Sequence, residues 1–206
     1  MKTIYMDNNA TTQVSPEVLE AMLPYFKEKY GNPSSMHRFG GLVDRDIQTA
    51  RARVADLIGA TADEIIFTGC GTESDNAAIW AALNTHPDRR HIVTTRVEHP
   101  AVKSLCEALQ KKGYRITFIP VDSEGHLNLD LLYRSLSDDT AIVSVMWANN
   151  ETGVIHPVEA IAQRVRERGI LFHTDAVQAV GKIPVDVNTA GVDMLSISGH
   201  KLHGPK

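Results

Sequence analysis

Hydrophobic positions along the chain alternate between two textures: apolar residues at helical spacing, and short unbroken apolar runs. Ser15-Pro16-Glu17 opens the first helical stretch, with serine at the cap, proline at the first helical position, and Val18 and Met22 on one face. Pro24 is expected to interrupt or kink it, and Gly31-Asn32-Pro33-Ser34-Ser35 is loop chemistry. A second helix is predicted from about Gly41 to Ile58, with Leu42, Ile47, Val54 and Leu57 partly in phase. Beyond it the stretches 64–68, 91–95, 114–121, 141–146, 170–173 and 192–197 read as strands. Helical patterns over 73–83, 101–111, 129–136 and 158–167 alternate with them. Strands alternating with helices predict an α/β fold, a mainly parallel sheet with flanking helices. No repeat, low-complexity tract or interdomain linker interrupts the pattern.

The 206 residues, 43% apolar and 22% charged, suffice for one sizeable domain with a real core. A net charge of -4 without a dense Lys/Arg cluster argues against a nucleic-acid surface. No apolar run reaches the roughly 20 residues of a membrane helix, and the N-terminus lacks a signal-peptide stretch. Two cysteines, Cys70 and Cys106, make neither a disulfide scaffold nor a metal-ligand spacing. The expectation is a cytoplasmic enzyme with reduced thiols and no protein-held metal.

Chemistry gathers where the strands end, which is where α/β sheets present ligands. Gly69-Cys70-Gly71-Thr72-Glu73-Ser74 turns a strand into a helix and can offer backbone N–H groups to a monophosphate. The same residues also read as an ordinary turn with Thr72 as N-cap and Asp75 closing a capping box. His99, before Pro100, can stack on a planar cofactor or exchange protons, or it can simply cap a helix. Asn150 follows an apolar strand, where an amide can bind a cofactor hydroxyl or substrate carboxylate. Asp175 ends another apolar run, so its carboxylate needs a partner; a protonated ring nitrogen is one, and a helix cap is the alternative. Gln178 falls about one helical turn further along. Lys201, after the last strand and flanked by Ser198, Gly199 and His200, can act as a Schiff-base amine. Together these residues outline a pyridoxal phosphate site.

The motifs resemble, in order, those of the cysteine desulfurases of the NifS/IscS type, pyridoxal-phosphate enzymes of fold type I. Asp7-Asn8-Asn9-Ala10-Thr11-Thr12, Gly31 to Ser35, Gly71 to Ser74, Glu98 to Val102, Ala148 to Gly153, His173 to Gln178 and Ser198 to Lys201 carry the likeness. Val145 to Asn150 and His200 to His203 are most similar to the nitrogen-fixation branch.

The resemblance implies pyridoxal 5'-phosphate as cofactor and conversion of L-cysteine to L-alanine, with sulfur leaving as an enzyme persulfide. A homodimer and an iron–sulfur scaffold protein of the NifU/IscU type, serving iron–sulfur or nitrogenase metallocluster assembly, are the implied partners. Lys201 is implied as the Schiff-base lysine that moves the α-proton, and His99 as the residue stacking on the ring and assisting proton transfer. Asp175 is implied at the ring nitrogen and Gln178 at the ring hydroxyl. Gly71, Thr72, Ser198 and His200 are implied to hold the phosphate, Gly199 to belong to the cofactor-binding residues, and Asn150 to contact cofactor or substrate. Residues 1–15 are expected to go with a small domain and 16–206 to form a large cofactor-binding domain, incomplete at its C-terminal end. The family's sulfur-accepting cysteine is expected outside this chain, since Cys70 lies in the phosphate turn and Cys106 lies mid-helix. Two further readings stand beside this one: a related pyridoxal-phosphate lyase or aminotransferase, such as a selenocysteine lyase, and an inactive binding module.

Overall fold

The computed structural model describes residues 3–206. The helices are α1 (Pro16–Lys27), α2 (Arg38–Ile58), α3 (Gly71–Thr85), α4 (Pro100–Lys111), α5 (Leu129–Ser135), α6 (Val158–Arg166) and the single turn α7 (Val187–Ala190). The strands are β1 (His91–Thr95), β2 (Arg115–Ile119), β3 (Thr140–Ser144), β4 (Leu171–Asp175) and β5 (Met194–Ser196). Two compact units emerge. Residues up to Phe67 join Gly199–Lys206 in one, and Thr68–Ser198 form the other.

The Thr68–Ser198 unit holds the sheet, ordered β2-β1-β3-β4-β5 with every pairing parallel. The residues of β1 and β3 are buried along their whole length, as expected of strands covered on both faces, although each mixes apolar with polar residues, His-Ile-Val-Thr-Thr and Thr-Ala-Ile-Val-Ser. Ile79, Ala82 and Leu83 of α3, with Val102, Cys106 and Leu109 of α4, pack on Ile92, Ala141 and Ile142 of the sheet. Helix α6 lies against β4, and α5 against β2 and α6. The winding direction reverses between β1 and β3, the kind of switch point beyond whose C-terminal strand ends α/β sheets bind ligands.

In the other unit, Ser15 caps α1, its hydroxyl accepting from Val18 N–H at 3.2 Å. The helix continues through Pro24 to Lys27 rather than stopping there. Helix α2 begins three residues earlier than the apolar pattern suggests, because His37 serves as its cap, accepting from Gly40 N–H at 3.1 Å. Its buried face carries Val43, Ala55 and Ile58, so Leu42 and Leu57 point outward and the predicted phase is one residue off.

The run 64–68 is not a strand. Ala62–Glu64 form a short 3-10 turn, and among the following residues Ile66 is 82% and Phe67 51% exposed. A strand needs a ladder partner, and among the described residues none pairs with this run. Arg51 of α2 instead donates to the Ile65 carbonyl and lays its guanidinium over the Phe67 ring.

Candidate functional site

The turn before α3 departs from the ordinary-cap alternative. Cys70, not Thr72, occupies the cap position, and it supplies no side-chain acceptor to the helix. A 15-residue helix whose first N–H groups lack a side-chain cap presents the positive end of its dipole to an anion. Thr72, exposed, is the second helical residue, and Asp75 is buried rather than closing a capping box. Glu73 folds back to accept from Gly69 N–H at 2.6 Å, which shapes the turn. A Cβ on Gly71 would meet Ser198 Cβ at 3.4 Å and Val177 Cγ2 at 3.6 Å, so the absent side chain leaves a cradle beside the Ser198 hydroxyl. The phosphate-site candidates Gly71 and Ser198 are thus brought together.

His99 and Asn150 ride on the loops after β1 and β3, the two strands at the switch point. His99 is exposed and caps α4, its Nδ1 accepting from Ala101 N–H at 3.2 Å. That bond makes Nδ1 the acceptor and leaves the ring proton of the neutral imidazole on Nε2. Asn150 is half-buried and donates to Glu151 at 2.7 Å.

Two residues to which the sequence reading assigned no role tie these loops together. Glu98 is fully buried, and its Oε1 accepts from Met146 N–H at 2.9 Å and from the Thr95 hydroxyl at 2.8 Å. Asn149 donates to the Val97 carbonyl at 3.1 Å, while its Oδ1 accepts from Glu151 N–H, Thr152 N–H and the Thr152 hydroxyl. Burial pushes the Glu98 carboxyl up to about 8, so it is largely protonated at neutral pH.

Asp175 ends β4, buried, and its Oδ1 accepts from Val177 N–H at 3.0 Å. The chain then makes a tight turn, with Ala179 and Val180 N–H both donating to the Ala176 carbonyl, rather than the helix that the Gln178 spacing suggests. Gln178 is half-buried in that turn and accepts from Lys182.

Beneath Asp175 lies a buried polar group that the sequence reading left without a role. His173 Nδ1 is 2.9 Å from Ser144 Oγ, its Nε2 is 3.0 Å from Ser196 Oγ, and Ser196 Oγ is 2.8 Å from Ser74 Oγ. Asp75 Oδ1 stands 3.6 Å from His173 Nε2. Burial lowers His173 to about 4, and burial, then the Asp175 charge, raise Asp75. Both shifts favour the neutral forms, so this contact is a polar pair and not a salt bridge. One signal in the sequence could have flagged the group: a histidine or serine inside an otherwise apolar strand must find a buried partner.

Lys201 and His200 belong to the other unit, in a 3-10 turn, Gly199–Lys201. Lys201 Nζ donates to the Asn9 carbonyl and, at 2.8 Å, to the Ala10 carbonyl. The His200 carbonyl accepts from Thr12 N–H and the Thr12 hydroxyl, and its Nδ1 lies 3.1 Å from Thr11 Oγ1. Burial lowers the His200 imidazole. The signature over 7–12 therefore has a structural office that its residue types alone did not disclose: it clasps the lysine turn.

Cys106 is buried in α4, and burial pushes its thiol up to about 12. Cys70 is exposed at the α3 cap. No helix among the described residues is long and apolar enough to cross a membrane.

Known proteins bear on this geometry. The chain is 58% identical over its full length to a cysteine desulfurase from Nostoc sp.. It is 54% identical, again over its full length, to the cysteine desulfurase NifS of Azotobacter vinelandii. It spans about half the length of these curated relatives, 52% of each. Among solved structures, a NifS-like protein superposes with a TM-score of 0.95 at 43% identity, over 98% of this chain and 56% of that one. SspA in complex with cysteine gives 0.95 at 35% identity, over 99% of this chain and 59% of that one. The aminotransferase class-V family model matches residues 4–206, taking in the glycine turn, the strand-end aspartate and the lysine turn alike. The chain belongs to the aminotransferase class-V family.

Proposed function

We propose that this chain carries the cofactor-binding part of a pyridoxal 5'-phosphate-dependent cysteine desulfurase. The full-length protein would convert L-cysteine to L-alanine and pass the sulfur, as a cysteine persulfide, to an iron–sulfur scaffold protein of the NifU/IscU type. The observation that carries the reading is the pairing, within one unit, of a helix N-terminus without a side-chain cap and a buried strand-end carboxylate, Asp175. A phosphate monoester and a protonated ring nitrogen are the charges those two features suit. The names of the relatives supply the reaction, and a structural relative solved with cysteine supports the substrate.

Bound pyridoxal phosphate supplies an electron sink for charge that develops at the substrate α-carbon. The residues of the chain do the rest. Asp175 would hold the proton on the ring nitrogen, its carboxyl group oriented by the Val177 N–H bond. Gln178 would bind the ring hydroxyl. Gly71 and Thr72, with Ser198 and His200, would bind the phosphate, and Gly199 would be a further cofactor-binding residue. His99 would stack on the ring and present Nε2–H for proton exchange, because its Nδ1 is engaged by Ala101. Lys201 Nζ would bind the cofactor and move the α-proton, and Asn150 would contact cofactor or substrate. Neither cysteine of this chain would accept sulfur: Cys106 is buried and held as thiol, and Cys70 stands in the phosphate turn. The acceptor cysteine is assigned to the rest of the full-length protein, which would work as a cytoplasmic homodimer.

The test is to express the full-length protein, supply L-cysteine with a thiol reductant, and quantify alanine and sulfide. Equal amounts of both, lost together with the visible cofactor absorbance in Lys201→Ala, are expected. Cofactor binding without alanine production would move the protein to another reaction of its family. Unchanged absorbance in Lys201→Ala would overturn the lysine assignment.

A further inference from the structure

The buried polar group under Asp175 is a continuous chain running Ser144, His173, Ser196, Ser74, with links of 2.9, 3.0 and 2.8 Å. It starts on β3, crosses β4 and β5, and ends in the first turn of α3. His173, Ser144 and Ser196 have no measurable exposure, so no solvent shares the load. Further along, helix α3 packs on the sheet through Ile79, Ala82 and Leu83. Apolar contact is non-directional and resists small slides or rotations of a helix only weakly, whereas a hydrogen bond through an imidazole fixes distance and angle. His173 also sits two residues before Asp175 on the same strand, so the two side chains leave the same face of the sheet.

We propose that His173 is a positioning residue, setting the span between the N-terminal turn of α3 and the Asp175 carboxylate so that one rigid ligand, anionic at one end and a protonated heterocycle at the other, meets both. The inference rests on the cofactor reading above and names what holds the two ends of that site in register. Asp75 contributes from the same turn of α3: as a neutral acid 3.6 Å from His173, it adds polarity without adding a second charge beside Asp175. A ligand touching one end gains nothing from a fixed span. A ligand touching both gains from preorganisation, since no free energy goes into bringing the ends to the right separation.

The distinction can be measured on the full-length apoprotein with pyridoxamine 5'-phosphate, pyridoxamine and inorganic phosphate, none of which can form a Schiff base with a lysine. Equilibrium titrations of wild type, His173→Leu and His173→Asn give the preference for the phosphorylated over the unphosphorylated amine. In wild type that preference is expected to be large. In His173→Leu it should fall about tenfold or more, while pyridoxamine and inorganic phosphate each change by less than about threefold. His173→Asn, which retains a donor and an acceptor, should recover part of the preference. General loosening of the core would weaken all three ligands together and leave the ratio unmoved. If His173→Leu does not fold, Ser74→Ala cuts the last link at the helix and gives the same readout. An unchanged preference in a folded variant overturns the positioning role and leaves the cofactor reading intact. A wild-type protein that binds none of the three overturns both.

Discussion

The Thr12 hydroxyl donates to the His200 carbonyl at 2.8 Å and accepts from His203 N–H at 2.8 Å, so one side chain closes both sides of the lysine turn. Its backbone repeats the link, Thr12 N–H donating to the same His200 carbonyl at 2.9 Å. His203 takes a left-handed conformation, φ 59°, which a side chain enters only when its surroundings enforce it. Thr12→Val preserves shape and removes both hydroxyl bonds. It should cost about 1–3 kcal/mol in urea unfolding, with Thr12→Ser close to wild type. Equal stability of the valine and threonine proteins would show that the hydroxyl closes nothing.

Gly71 gives a prediction in which stability and binding part company. It is the first residue of α3, and its backbone does not require the left-handed region. Alanine there would place a methyl 3.4 Å from Ser198 Cβ, an ordinary contact for the fold, while restricting the unfolded chain. The expected outcome for Gly71→Ala is unchanged or slightly higher stability, by up to about 1 kcal/mol, with affinity for pyridoxal phosphate reduced roughly tenfold or more. Thermal unfolding of the apoprotein and cofactor titration together check it. A variant that binds the cofactor as well as wild type would remove Gly71 from the phosphate site.

The buried acids set a pH dependence whose sign can be worked out. Glu98 in the folded protein titrates near 8, well above its unfolded value, and Asp75 is raised as well. The folded state therefore binds protons that the unfolded state has released, and stability falls as pH rises through the folded values. His173 and His91, both lowered to about 4, act oppositely, but their window closes by about pH 6.5. Between roughly pH 6.5 and 8 the carboxyls act alone, and each proton contributes a slope of at most about 1.4 kcal/mol per pH unit. Unfolding free energy should decline over that interval, and Glu98→Gln, which keeps an acceptor for Met146 N–H, should flatten the decline. Identical pH profiles for the two proteins would place Glu98 in its charged form.

How much of this was legible beforehand depends on the distance over which each feature is decided. Strands β1 and β3 announced themselves through their apolar centres, Ile92-Val93 and Ala141-Ile142-Val143, and α4 as a Pro-initiated helix because His99-Pro100 is a local start signal. The run 64–68 misled for the same reason: an apolar stretch states that burial is favourable but not that a neighbouring strand exists, and Arg51 supplied the backbone partner instead. In α2 the apolar residues are sparse, and whether Leu42 or Val43 faces inward is decided by packing, which spacing does not contain. Gly71, His99, Asp175 and Lys201 could be named because their residue types are chemically pointed. Ser144, His173, Ser196 and Thr12 could not, since each acts through partners 23 to 191 residues away.

The two thiols should separate cleanly in a labelling experiment. Cys106 is fully buried in α4 and held protonated, so it offers no thiolate, while Cys70 is exposed. Under native conditions a maleimide is expected to modify Cys70 and to reach Cys106 only on unfolding, with the sites read by peptide mass. Fast native modification of Cys106 would show that α4 opens.

Asp175 bears most directly on the chemistry. Its carboxyl group is buried and accepts from Val177 N–H, and burial, then the Asp175 charge, raise the neighbouring Asp75. A protonated heterocycle placed against it stays protonated through the reaction, which is what an electron sink requires. Asp175→Ala removes that charge and leaves the phosphate turn of α3 in place, so the cofactor should still bind through its other contacts. Turnover of L-cysteine by the full-length protein is expected to fall by about two orders of magnitude or more, with KM and cofactor affinity changing by less than about tenfold. An interaction that matters only as charge develops lowers kcat, whereas one that merely anchors the ligand raises KM and the cofactor dissociation constant together. Turnover within a few-fold of wild type would mean that the ring nitrogen does not meet Asp175, and a loss of cofactor binding with normal turnover at saturation would reduce Asp175 to an anchor.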